Sequence, residues 1–129
     1  MFKKKIAIGT ANFCNPYGTF SNKKINENEI KKVLKICKKF EVDTFDTSPD
    51  YGNSEKILGK LADDNLKIIT KIPKFKEIGN NVNTFFEDLF HKSTENLKTK
   101  KIYAVLFSCY ILYYRKQVNF ITIFLKLIQ

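Results

Sequence analysis

Arginine is almost absent from this chain. Of its 23 basic residues only Arg115 is arginine; the rest are lysines scattered from Lys3 to Lys126. The bidentate phosphate and guanine contacts that an arginine fork supplies are therefore nearly excluded. The formal charge of +10 reads as compositional bias, and specific nucleic-acid binding is not expected. Cysteine is scarce as well. Cys14, Cys37 and Cys109 show no metal-ligand spacing and cannot all pair, so reduced thiols and no metal centre are expected. The single histidine, His91, falls inside a helical pattern, where a surface role outweighs a catalytic one.

Long apolar runs are missing too. The opening MFKKKIAIG has a short apolar run cut by Gly9 and Thr10, without the h-region and cleavage site of a secretion signal. The stretch VNFITIFLKLIQ is interrupted by Lys126 and falls short of the roughly 18 to 20 residues a membrane span needs. No membrane span and a cytoplasmic location are the resulting expectations.

What is present is the composition of an ordinary globular protein, 43% hydrophobic and 28% charged over 129 residues. That length holds one core and is short for two. Residues 6–8 form an apolar run ending in Gly9-Thr10 and predict a buried strand. In INENEIKKVLKICKKF, Asn26 is a candidate N-cap, with Glu27 and Glu29 in the first turn. Ile30, Val33, Leu34 and Cys37 recur at helical spacing. VDTFDT predicts a second strand, with SPDYG as its exit loop. Ser54 is the expected cap of a short helix, EKILGKLA, and Ser54 and Glu55 are read as favouring its start. Gly52 suits a tight turn and Gly59 a close packing contact. Residues 66–70 predict a third strand with Lys71 at its end, 80–97 a helix, and 101–107 a fourth strand.

Strands alternating with helices over short loops imply parallel strands, buried on both faces beneath packed helices. In such architectures the chemistry lies at the C-terminal ends of the strands. Gly9-Thr10, Asp46, Tyr51, Lys71 and Ser108 fall there. Asp46, Tyr51 and Lys71 together make a proton-transfer set. A free tyrosine, with a pKa near 10, exchanges protons poorly at neutral pH. An adjacent ammonium stabilises the phenolate, and a carboxylate keeps that ammonium charged and oriented.

DTSPDYGNSEKILG resembles the second strand and loop of the aldo-keto reductase family: Asp-Thr, then Tyr-Gly-x-Ser-Glu and a later Gly. IIT followed by Lys71 resembles that family's third strand with its catalytic lysine, and IAIGTANF with Pro16-Tyr17-Gly18 resembles its first. The motif match runs from about Ile6 to Phe107. The resemblance implies a (β/α)8 TIM-type barrel and reduction of a small carbonyl compound, of a sugar-like kind, with hydride from NADP(H). It also implies Asp46 as the lysine's support, Tyr51 as proton donor and Lys71 as the tyrosine's tuning residue. Gly9 and Thr10 are the cofactor-binding candidates.

Two departures from the family pattern shape the remaining expectations. Ser93 and Leu97 fit the family's Ser-x-x-x-Leu pattern, and the register counted from it puts Ser108 where the family has a histidine. A barrel of this type typically takes roughly 250 residues, whereas the pattern here ends after four strands. The expected fold is therefore α/β, a truncated barrel of about four β/α units. Residues 1–107 form the N-terminal half, and 108–129 a divergent apolar tail with a helix within 116–128. Activity is expected to be impaired, the alternative being a non-catalytic half-barrel remnant or interaction module. The open half-barrel is expected to self-associate, since its unpaired edges and uncovered inner face need a partner.

Overall fold

A parallel strand places alternate side chains on opposite faces, so one register decides which residues meet helices and which face the other way. The computed structural model describes residues 6–14, 16, 25–63, 65–73, 81–99 and 102–107. Its strands are β1 (Ala7–Gly9), β2 (Thr44–Asp46), β3 (Lys67–Ile72) and β4 (Ala104–Phe107). They alternate with α1 (Glu27–Lys39), α2 (Ser54–Leu61) and α3 (Val82–Leu97), and a 3-10 turn at Ala11–Phe13 follows β1. Sheet order is β1-β2-β3-β4 and each neighbouring pair is parallel. This is the expected α/β architecture of consecutive β/α units.

The register pairs Ile8 with Phe45 and Phe45 with Ile68, and it sets Thr70 and Ile72 on the same face. That face packs against the helices. Phe45, Ile68, Ile30 and Cys37 of α1, Leu58 of α2, Leu97 of α3 and Phe13 of the 3-10 turn form one buried cluster. Burying a side chain the size of Phe45 contributes about 1.5–3 kcal/mol, so this layer holds the sheet and helices together. The opposite face carries Gly9, Asp46, Ile69 and Lys71 in register.

Local chemistry explains the helix ends. Asn26 Oδ1 accepts from the Glu29 amide at 3.0 Å, and Glu29 Oε2 accepts from the Asn26 amide at 2.7 Å. Two otherwise orphaned donors are thereby satisfied reciprocally. Glu27 and Glu29 at the start of α1, with Lys38 and Lys39 at its end, complement the helix dipole. Asn81 caps α3 by accepting from the Thr84 amide at 3.2 Å.

Three expectations need correction. Ser54 is not the cap of α2 but its first helical residue. Asn53 holds the cap position without a side-chain hydrogen bond, and the buried Ser54 hydroxyl reaches the carbonyls of Tyr51 (2.8 Å) and Thr10 (3.0 Å) instead. β1 is not buried on both faces. Ile6, just before β1, is 48% exposed, and Ala7 and Gly9, on the face turned away from the helix-side core, are exposed; among the described residues β1 also has a sheet neighbour on one side only. β3 is longer than expected and takes Lys71 and Ile72 inside it, since both continue the ladder to β4. His91 is exposed on α3, as expected. No helix among the described residues is long and apolar enough to cross a membrane.

Gly59 is where α2 and α3 touch. A Cβ there would lie 2.3 Å from the Asn96 carbonyl oxygen and 2.6 Å from a Leu97 backbone carbon. Backbone cannot swing aside as a side-chain tip can, so G59A should lower stability by about 1–3 kcal/mol, read as a shift in the urea midpoint. Burial pushes the Cys37 thiol up, with desolvation of the thiolate as the main cause. Cys14 is half-buried beside the 3-10 turn, and its sulfur lies 3.2 Å from the Asn53 amide that donates to it. Iodoacetamide at neutral pH should therefore label Cys14 before Cys37, which peptide mapping by mass spectrometry resolves.

Candidate functional site

Asp46 ends β2 and pairs in register with Ile69; the next residue on that face of β3 is Lys71. From there the Lys71 ammonium reaches back across the ladder. Its Nζ lies 2.7 Å from Asp46 Oδ1, 2.6 Å from Oδ2 and 3.0 Å from the Thr47 carbonyl oxygen. An ammonium has three N–H donors, and three acceptors surround this one. The two side chains are only 21% and 30% exposed, so the pair is screened less than a surface ion pair.

The exit loop of β2 brings the phenol to the same place. Tyr51 N donates to the Ser48 carbonyl at 3.0 Å, and the Ser48 hydroxyl accepts from the Asp50 amide at 3.2 Å. Gly52 then turns the chain at φ 61°, a backbone conformation that side chains disfavour. Ser54 holds the Tyr51 carbonyl from the far side. The Tyr51 ring ends up half-buried, with Lys71 Nζ 5.0 Å from its centroid, within cation–π range. Asp46, Tyr51 and Lys71 thus meet in one cluster at the C-terminal ends of β2 and β3.

The remaining candidates divide. Gly9 pairs with Asp46 across the ladder, is exposed, and a Cβ built on it would meet nothing within 4 Å. Thr10 is fully buried and donates its amide to the Asp46 carbonyl at 2.9 Å, while its hydroxyl has no partner among the described residues. The Thr47 hydroxyl, equally buried, is in the same position. Ser108 lies outside the described residues. Among the described residues no group of three or more His, Cys, Asp or Glu side chains could hold a metal ion.

Glu55 is the residue that sequence reading undervalued. It does not merely favour a helix start. It is 1% exposed, and its carboxylate accepts from Thr70 Oγ1 at 2.8 Å and from Asn96 Nδ2 at 3.2 Å. One buried carboxylate therefore ties α2 to β3 and to α3, four residues after Tyr51 and through the neighbour of Lys71. A signal was present: Thr70 is the one polar residue between Ile68 and Ile72 on the helix-facing side of β3. A hydroxyl buried there requires an acceptor.

The model of the aldo/keto reductase family matches residues 5–123. The chain belongs to that family. The match continues past Phe107, where the motif reading stops. Two solved structures from Pseudomonas aeruginosa, each described as a putative aldo-keto reductase, share its fold. One has a TM-score of 0.75 at 21% identity, covering 94% of this chain and 49% of its own. The other has a TM-score of 0.73 at 20% identity, covering 94% and 48%. The reductase-family chain thus spans about half the length of these structures. A sequence search of curated proteins gives no match.

Removing the buried tie should be costly without touching the ion pair. E55A leaves the buried Thr70 hydroxyl without its acceptor and the half-buried Asn96 amide without its partner, and should lower stability by about 1–3 kcal/mol. Urea unfolding of the purified variant against the parent chain measures it.

Proposed function

We propose that this chain carries the proton-transfer side of a nicotinamide-dependent carbonyl reduction, acting on a small, sugar-like aldehyde or ketone. The observation that carries the reading is the meeting of Lys71 with both Asp46 and the Tyr51 ring at the strand ends, in a chain of the aldo/keto reductase family.

When bound, NADP(H) supplies a hydride to the carbonyl carbon. Tyr51 gives its phenolic proton to the carbonyl oxygen as charge develops there, and regains one from water afterwards. Lys71 stabilises the phenolate that is left, and Asp46 holds the ammonium in place so that no reorientation is needed during the step. The residues present fit the reacting end of such a cofactor. Gly9 leaves clear space beside Asp46, which suits the close approach of a flat ring, and the amide of Thr10 fixes that strand end. By sequence register Ser108 stands where the family has a histidine; a hydroxyl is a single donor without the imidazole's reach, so a lowered rate is expected. A cytoplasmic location accompanies the reading, because the reduced cofactor and free thiols belong to that compartment.

A second reading, a half-barrel remnant or interaction module without catalysis, is favoured by Ser108 standing at the sequence register of the family's histidine. Nucleotide binding separates the two. For the reductase, NADPH fluorescence should change on titration with the chain. Y51F should then reduce carbonyl turnover about 10²–10⁴-fold while nucleotide binding persists, and Lys71→Met should act likewise. Absence of any NADPH binding, or unchanged turnover in Y51F, would overturn the reductase and leave the half-barrel.

A further inference from the structure

Two kinds of attachment hold the cluster together. Asp46 and Lys71 stand on neighbouring strands, and the ladder fixes their offset: Asp46 pairs with Ile69, and Lys71 lies two residues beyond it. Tyr51 stands outside the sheet, on the segment between β2 and α2. No ladder sets its distance from Lys71. The start of α2 carries it, for the Ser54 hydroxyl and amide both donate to the Tyr51 carbonyl, at 2.8 and 3.2 Å.

Glu55 follows Ser54 directly, and its Oε1 accepts from Thr70 Oγ1 at 2.8 Å. Thr70 immediately precedes Lys71 in β3. This hydrogen bond joins α2 to β3 one residue from Lys71 on one side, and one residue from the hydroxyl that holds Tyr51 on the other. Alternate side chains of a strand point to opposite faces, so Thr70 is gripped from the helix side while Lys71 reaches into the cluster. The second arm of the carboxylate leads elsewhere: Oε2 accepts from Asn96 Nδ2 of α3 at 3.2 Å. The group is 1% exposed, and among the described residues no lysine or arginine pairs with it. An acid is costly to bury with neutral partners alone, and packing by itself does not require one.

We propose that Glu55 is a positioning residue: acting through Thr70, it sets the place of the Lys71 ammonium against the Tyr51 ring. The Lys71–Asp46 pair, fixed by the ladder, does not depend on it. The two arms of one carboxylate thus have different tasks, Thr70 serving the site and Asn96 the scaffold. The consequence for turnover rests on the proton-transfer reading, whereas the placement rests on geometry alone.

Placement has a spectroscopic readout that needs no turnover. Lys71 Nζ stands 5.0 Å from the Tyr51 ring centroid, so the ring current should displace the Lys71 ε-methylene protons from those of the exposed lysines. In the full chain, isotope-labelled at lysine Cε, a proton–carbon correlation spectrum shows that signal, and its loss in Lys71→Met assigns it. T70V and E55A should each lose most of the displacement, and either decides if the other does not fold by far-UV circular dichroism. T70S and E55Q should keep it, since the first retains the hydroxyl and the second an acceptor for it. N96A also loses a hydrogen bond to Glu55, yet should leave the displacement in place. If the chain reduces carbonyls, T70V should lower kcat with little change in KM; if it does not, the reductase reading falls and the spectral comparison stands. An undisplaced Lys71 signal in the parent chain, a displacement kept in T70V and E55A, or equal losses in T70V and N96A would overturn the proposal.

Discussion

The strict pleat of β2 and β3 governs most of what this chain does. With Phe45 paired to Ile68, the neighbouring Asp46–Ile69 pair must face the other way, and Lys71 follows on that same side. A slip of one residue would turn Phe45 out of the core and bury Asp46 among the helices. Burial of Phe45, Ile68 and Leu58 therefore fixes the ion pair indirectly: apolar packing on one face determines where charge appears on the other. Two lysine–aspartate ties span these strands. At the far end Lys67 meets Asp43 at 2.7 Å, and its hydrogen bond holds the Asp43 carboxyl below the usual range. That pair is about half exposed. The Lys71–Asp46 pair is shielded on most sides, so only there can the surroundings amplify the charge.

Much of this was readable from residue patterns. The helical stripe of Ile30, Val33, Leu34 and Cys37 with its Asn26 cap located α1, and the apolar runs before Asp46 and Lys71 located the strands whose ends hold the cluster. Gly52 and Gly59 were placed correctly, because a positive φ and a close backbone approach leave few alternatives to glycine. The misreadings share a cause. Ser54 and Glu55 read locally as a helix cap and a residue favouring the helix start, common roles for serine and glutamate at that place. In the folded chain their partners come from Thr10, Thr70 and Asn96, distant positions that local pattern cannot reveal. The exposure of β1 was missed for a related reason, for an apolar strand reads the same whether it lies at the centre of a sheet or at its margin.

Family membership and geometry bear on different parts of the problem. The match over residues 5–123 and the shared fold establish the scaffold, and the loop from Ser48 to Ser54 carries the phenol to it. The proposed chemistry depends on that loop being stiff. Its turn, its glycine and the Ser54 hydroxyl together hold the Tyr51 backbone at both ends, so the ring beside Lys71 is set by the main chain and not by the ring's own contacts alone.

The carboxylate of Glu55 has a consequence for how such a chain can change over time. It joins three segments that are far apart in sequence through two hydrogen bonds to one buried acid, so positions 55, 70 and 96 cannot drift independently. Replacing the acid is tolerable only when its two donors are replaced with it, by apolar groups of matching shape or by a new complementary set. Related sequences should therefore vary at these sites as a trio, a correlated signature that would mark the scaffold even where the catalytic-type residues have been lost.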